Sequence, residues 1–229
     1  FSMNYFDGII IKLDNLNSLI MEGNIVTVGA GYSLAKFANI MVEKGLGDLT
    51  FAAGIPGQVG ASTAMNAGAY NSDMSTVIKS VRVLNPNFEV VELSNKDLEF
   101  SYRDSFLKKH NEYVVLSTTF ELTPTDIAEM KNKVIERRNK RLASQPLNMP
   151  NAGSVFRNPE GDYAGRLIEE AGFKGKMVGG AMVSEKHANF VINYDYATGQ
   201  DVKKLIKEIQ KEVKDKFDVE LKLEQEIVE

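Results

Sequence analysis

The chain has 229 residues, 43% hydrophobic and 25% charged, which suits one large globular domain or two small ones. Its 31 acidic residues outnumber 27 basic ones, and a net charge of -4 argues against a general nucleic-acid binder. Cysteine is absent, which excludes disulfides and thiolate chemistry, and two histidines are too few for most zinc sites.

No apolar run approaches the roughly 18 residues of a membrane span. Phe1–Leu13 lacks the basic start and long apolar stretch of a secretory signal. The expectation is a soluble cytoplasmic protein with neither membrane nor nucleic-acid partners. The chain opens on Phe1 and runs within a few residues into Gly8–Leu13, which reads as a strand with nothing upstream to pair it. A piece of a longer protein is therefore expected.

Ile25–Gly29 is a second β-branched run and a second predicted strand. Ser33 then caps a helix with an apolar stripe of Leu34, Phe37, Ala38, Met41 and Val42, stopped at Gly45. Val77–Leu84 and Glu89–Leu93 flank Asn85-Pro86-Asn87-Phe88 and predict a hairpin. Tyr113–Leu122 is another strand. Pro124 and Thr125 open a helix to about Ala143 with a basic end (Arg137, Arg138, Lys140, Arg141), read as a solvated face at a helix C-terminus. Prolines bracket this helix, so it is expected to connect two domains, residues 1–124 and 125–229.

Further on, Asp162 is placed as the cap of a short helix bearing Ala164, Leu167, Ile168 and Ala171, closed by Gly172. Strands are predicted at Lys176–Ser184 and Phe190–Tyr194. Thr198 and Asp201 bracket the start of a helix to Phe217, whose stripe is Val202, Leu205, Ile206, Ile209, Val213 and Phe217. That stripe reads as a core-packed face rather than a membrane or calmodulin target. Val219–Val228 is predicted as a final strand.

Four stretches carry possible chemistry. Phe51–Tyr70 (FAAGIPGQVGASTAMNAGAY) sets Gly54, Gly57, Gly60 and Gly68 among small residues. Such turns either cradle phosphate on backbone amides or simply fold tightly. The segment lacks the Lys-Ser/Thr end of a P-loop, which argues against nucleoside triphosphate hydrolysis. Gly29-Ala30-Gly31 hints at a dinucleotide fingerprint, but Leu34 stands where its third glycine belongs. Ser101-Tyr102-Arg103-Asp104-Ser105 places an arginine beside a tyrosine at a strand end, suited to grip a carboxylate or phosphate, or to pair with Asp104. Asn151–Pro159 (NAGSVFRNP) presents Ser154 as a proton donor or turn serine. A hydrolase nucleophile would need a base, and neither His110 nor His187 has a suitable context. Strand periodicity puts Glu224 and Glu226 on one face, for acid–base work or for solvent.

In order, AGIPGQVGASTAMNAGAY, SYRDS, QP with NAGSVFRNP, GRLIEEAGFKGKMVGGAMVSEKHANFVIN and LEQE resemble the UDP-N-acetylenolpyruvoylglucosamine reductases, the MurB flavoenzymes of peptidoglycan precursor synthesis. The resemblance spans nearly the whole chain, and SYRDS is similar to the more compact of the family's two types. It implies an α+β fold: a vanillyl-alcohol-oxidase-type FAD-binding subdomain followed by a C-terminal substrate-binding domain. It implies that NADPH reduces FAD, that hydride then passes from flavin N5 to C3 of an enolpyruvyl UDP-sugar, and that a proton is delivered to C2.

By the same resemblance, Gly54, Ile55, Pro56, Gly57, Gln58, Val59, Gly60 and Ala61 lie against FAD pyrophosphate. Arg103, Ser154 and Glu226 are catalytic, with Ser154 the proton donor. Tyr102, Asn158 and His187 meet the substrate, and no metal is implied. The family's further N-terminal segment, ending in a G-x-G-[ST]-N turn, would precede Phe1. The competing expectations are a flavin-free fragment that binds nucleotide sugar without turnover, and a flavin oxidase using oxygen; the latter is disfavoured because superfamily members often attach flavin through His or Cys.

Overall fold

The computed structural model describes residues 8–227. The chain forms two compact units, and the division falls at Asn139/Lys140.

The first unit, from Ile10 to Asn139, is built on a sheet whose buried residues alternate. β1 (Leu19–Glu22) pairs with β2 (Ile25–Gly29), where Val26 and Val28 are 0% exposed while their neighbours Ile25 and Thr27 are partly open. Period-two burial is what a sheet with one covered face imposes. Helix α1 (Leu34–Glu43) belongs to the same hydrophobic core, and the predicted stripe is buried as expected. Ser33 caps it by accepting from the Lys36 amide, and Gly45 ends it at φ +73°. Phe37 meets Phe120 with ring centroids 4.8 Å apart.

Helix α2 (Val59–Ala64) and a small hairpin, β3 (Gly68–Ala69) with β4 (Ser72–Asp73), then follow. β5 (Ile78–Leu84) and β6 (Val90–Ser94) form the predicted hairpin. Its turn closes because Asn85 Oδ1 accepts from the amides of Asn87 and Glu89, both at 2.9 Å. After the single turn α3 (Phe106–Lys109), β7 (Val114–Glu121) inserts between β2 and β5, giving an antiparallel order β1-β2-β7-β5-β6. Thr63 and Thr118, both 0% exposed, join their hydroxyls at 2.9 Å and tie α2 to β7.

Gly8–Leu13 does not form the expected strand. Ile9, Ile10 and Ile11 are 76–89% exposed, and the free edge of β2 is already covered by β1. β-propensity without a partner strand does not fix a ladder. Helix α4 (Ile127–Ser144) starts later than Pro124, where Asp126 Oδ1 accepts from the Glu129 amide. Its basic end is not wholly solvated: Arg137 stacks 4.6 Å over the Tyr70 ring and donates to Thr50 Oγ1.

The second unit, from Lys140, holds β8 (Asn151–Ser154), α5 (Ala164–Glu170), β9 (Met177–Val178), β10 (Ala181–Val183), β11 (Phe190–Asn193) and α6 (Gly199–Phe217). The sheet order is β8-β11-β10-β9. α6 buries Val202, Leu205, Ile206, Ile209 and Val213 and starts with a capping box between Thr198 and Asp201. Lys176–Ser184, expected as one strand, is the hairpin β9–β10, turned at Gly179-Gly180. Gly179 has φ +52°, and a methyl there would collide with the Asp201 carboxylate; one on Gly180 would collide with the Asp195 carbonyl. The turn is therefore dictated by the start of α6. Val219–Val228 is not a strand: up to Ile227 it pairs only at Phe156–Leu223, and Val228 lies outside the described residues.

Candidate active site

In the first unit the glycine-rich segment combines engaged and unengaged amides. The Val59 and Gly60 amides donate to the carbonyls of Tyr32 and Ala30, and Ile55 to Ala52. Among the described residues the amides of Gly54, Gly57, Gln58 and Ala61 have no hydrogen-bond acceptor. Gly57 adopts φ +119°, a conformation effectively reserved for glycine, and Gly54, Pro56 and Gly57 are exposed. Exposed peptide N–H groups around such a turn suit phosphate oxygens, so this loop fits the pyrophosphate of a dinucleotide. Gly60 has a packing reason instead: a Cβ would stand 2.8 Å from Ala30 Cβ. Gly29 and Gly31 are likewise packing glycines beneath Leu16 and Leu13, not a phosphate fingerprint.

Tyr102 and Arg103 lie in a tight turn rather than at a strand end. Ser101 and Asp104 exchange backbone hydrogen bonds of 3.0 and 3.2 Å, and Arg103 sits at φ +55°. This turn rests on the glycine-rich segment. Arg103 Nη2 donates to the Gly68 carbonyl at 2.6 Å, and Ser105 Oγ to the Ala64 carbonyl at 2.6 Å. The guanidinium lies 5.1 Å from the Tyr102 ring centroid, and Tyr102 is 54% exposed. Asp104 pairs with Lys109, at 3.9 Å.

In the second unit Ser154 ends β8, partly buried, and its hydroxyl has no hydrogen-bond partner among the described residues. A hydroxyl not already donating within the protein is one able to donate to a bound molecule. Gln225 Nε2 lies 3.2 and 3.3 Å from the carbonyls of Gly153 and Ser154, and the Glu224 amide donates to Val155. These bonds bring the segment carrying exposed Glu226 beside β8. The expected shared strand face of Glu224 and Glu226 is absent, because the chain bends at Glu224-Gln225.

Asp162 does not cap α5. Asn158 Oδ1 accepts from the Ala164 amide at 3.1 Å, while Asp162 binds Arg166, which holds its carboxyl at about 2. His187 packs over the first turn of α5, where a Cβ on Gly165 would stand 3.3 Å from His187 Cε1. Its Nδ1 accepts from the Asn189 amide at 3.2 Å, so the neutral ring carries its proton on Nε2. Burial, then the charge of Lys174, lower its pKa, opposed by Glu169.

Three residues at these sites carry no chemistry of their own and were given no role by the sequence. Buried Asn189 accepts from the Phe156 amide (2.9 Å) and donates to the Phe156 carbonyl (2.8 Å), fixing the backbone between Ser154 and Asn158. Asn66 performs a similar function beneath the Arg103 turn, and Gln225 beside Ser154. For Asn66 and Asn189 the available signal was an amide side chain set between small or apolar neighbours, whereas Gln225 lies between two glutamates and offered none. No helix among the described residues is long and apolar enough to cross a membrane.

Comparison with known proteins agrees with this layout. The C-terminal domain model of UDP-N-acetylenolpyruvoylglucosamine reductase matches residues 145–228, and an FAD binding domain model matches residues 1–94. The chain is 45% identical over 221 residues to the UDP-N-acetylenolpyruvoylglucosamine reductase of Clostridium perfringens (strain SM101 / Type A), covering 96% of this chain and 72% of that protein. It is 46% identical to the corresponding reductase of Caldanaerobacter subterraneus subsp. tengcongensis, covering 96% and 73%. The crystal structure of the Thermus caldophilus reductase superposes with a TM-score of 0.78 at 34% identity, over 87% of this chain and 71% of that one. Its sequence, its α+β architecture and its flavin-type loop together place this chain in the UDP-N-acetylenolpyruvoylglucosamine reductase family, a family of FAD-dependent oxidoreductases.

Proposed function

We propose that this chain uses NADPH to reduce UDP-N-acetylglucosamine enolpyruvate to UDP-N-acetylmuramate. The observation that carries the reading is the seating of the Tyr102–Arg103 turn on the glycine-rich segment, through Gly68 and Ala64. The arginine for a carboxylate and the loop for a dinucleotide are thereby one hydrogen-bonded piece of structure.

The amides of Gly54, Gly57, Gln58 and Ala61 would hold the pyrophosphate of FAD, which when bound would supply the hydride for C3. Addition at C3 of an enol ether leaves negative charge over C2 and its carboxylate. Arg103 offsets that charge with a guanidinium already oriented by the Gly68 carbonyl. Tyr102 borders the same substrate. Ser154 gives its hydroxyl proton to C2, and Glu226 hydrogen-bonds at the carboxyl end. Asn158 and His187 meet the nucleotide sugar, with His187 Nε2–H as donor.

The two half-reactions test this separately. Chain supplied with FAD should show bound-flavin absorption that NADPH bleaches and the enolpyruvyl sugar restores. Ser154→Ala should leave bleaching within about threefold and slow restoration by about two to four orders of magnitude, the range of general-acid contributions. Equal loss in both half-reactions excludes Ser154 as proton donor. Failure to bind FAD excludes the reductase reading for this chain.

A further inference from the structure

We infer that Asn66 is a positioning residue for Arg103, converting the end of the flavin loop's helix into a rigid seat for the arginine turn. The inference rests on the reading of Arg103 as the carboxylate-binding group.

Asn66 follows the C-cap of α2 and is 1% exposed, with φ +49°. Its Nδ2 donates to the Ser101 carbonyl at 2.8 Å, and its Oδ1 accepts from the Ser75 amide at 3.0 Å. Ser101 is the first residue of the turn, and its carbonyl also receives the Asp104 amide that closes it. Arg103, two residues on, is held at φ +55°, in a region that a non-glycine residue adopts at a cost. Three contacts from one short stretch therefore over-determine the turn: Asn66 on Ser101, Gly68 on the guanidinium, and Ala64 on Ser105. Asn66 is the one of these that acts through its side chain. Asparagine meets both requirements, because it tolerates the left-handed backbone and carries a donor and an acceptor on one group.

A side chain that supplied stability alone would act independently of Arg103. A side chain that aims Arg103 becomes irrelevant once the guanidinium is gone, so the experiment is a double-mutant cycle with Arg103→Ala. Asn66→Asp keeps the acceptor for Ser75 and the backbone preference but opposes a carboxylate to the Ser101 carbonyl. Asn66→Gly keeps the backbone conformation and removes both groups, and serves if Asn66→Asp does not fold.

Binding of the enolpyruvyl sugar nucleotide is measured by calorimetry, and kcat/KM by steady-state assay. The expected result is a loss of tenfold or more in both, the scale of a small misplacement of a catalytic group. Flavin reduction by NADPH should stay within about threefold. In the Arg103→Ala background the same substitution should add less than twofold. An equal further loss in that background overturns the inference. An Arg103→Ala chain with unchanged affinity and turnover overturns the reading of Arg103 instead, so the two failures are distinguishable.

Discussion

Asn189→Ala isolates a single buried clamp. Phe156 is 1% exposed, and its amide and carbonyl find their partners in Asn189, at 2.9 and 2.8 Å. No other described residue bonds either atom, because the adjoining bridge runs through Val155 and Arg157 to Glu224 and Lys222. Truncation therefore strands one buried donor and one buried acceptor. At about 1–3 kcal/mol for each group left unsatisfied, the loss is about 2–6 kcal/mol, centred near 4. Asn189→Asp retains the acceptor for the Phe156 amide but sets a buried carboxylate oxygen against the Phe156 carbonyl, so it should cost at least as much. Urea unfolding read by circular dichroism measures the difference, and hydrogen exchange at the Phe156 amide reports the clamp directly. Ser154 lies two residues upstream, so on the proposed function proton delivery should fall along with stability. A loss under about 1 kcal/mol, with Phe156 exchange unchanged, would refute the reasoning.

Gly179→Ala should destabilise the second unit by about 2 kcal/mol or more, since φ +52° and the Asp201 carboxylate both oppose a methyl group; thermal unfolding checks it, and Tm within a degree of the parent would be the contrary result. On the proposed function Arg103→Lys should weaken binding of the enolpyruvyl sugar at least tenfold, because lysine lacks the planar fork that can bond the Gly68 carbonyl and a carboxylate together; calorimetry decides it. His187 has a lowered pKa in the folded chain through burial and then Lys174, so the unfolded chain binds its proton first. Its contribution to stability should be complete above about pH 6.5, the ordinary histidine value, and decline as pH falls below it toward the folded pKa. Replacing it with Gln should flatten Tm against pH in that interval, and an unchanged slope would assign the dependence elsewhere.

Much of this protein was legible in one dimension. α1 and α6 were read correctly because a side-chain cap and a 3.6-residue stripe are local signals, and the burial of Leu34, Phe37, Ala38 and Met41, or of Leu205, Ile209 and Val213, follows from them. The β5–β6 hairpin was legible because Asn85 closes its own turn. The ordered motifs also identified the family, which the comparisons bear out, because several motifs in one order are far more specific than any one alone. Partnership across distance was not legible. Gly8–Leu13 has the composition of a strand but pairs with neither edge of the five-stranded sheet among the described residues, and Lys176–Ser184 is broken by a helix start about twenty residues away in the chain. Asn66 and Asn189 act on backbone 35 and 33 residues away. The sequence by itself determined which chemistry the chain carries, because residue type sets charge, proton supply and backbone freedom. Only the tertiary structure decided which side chains hold those groups in place, because buried peptide groups take their partners from whatever the fold brings alongside, and that is invisible along the chain.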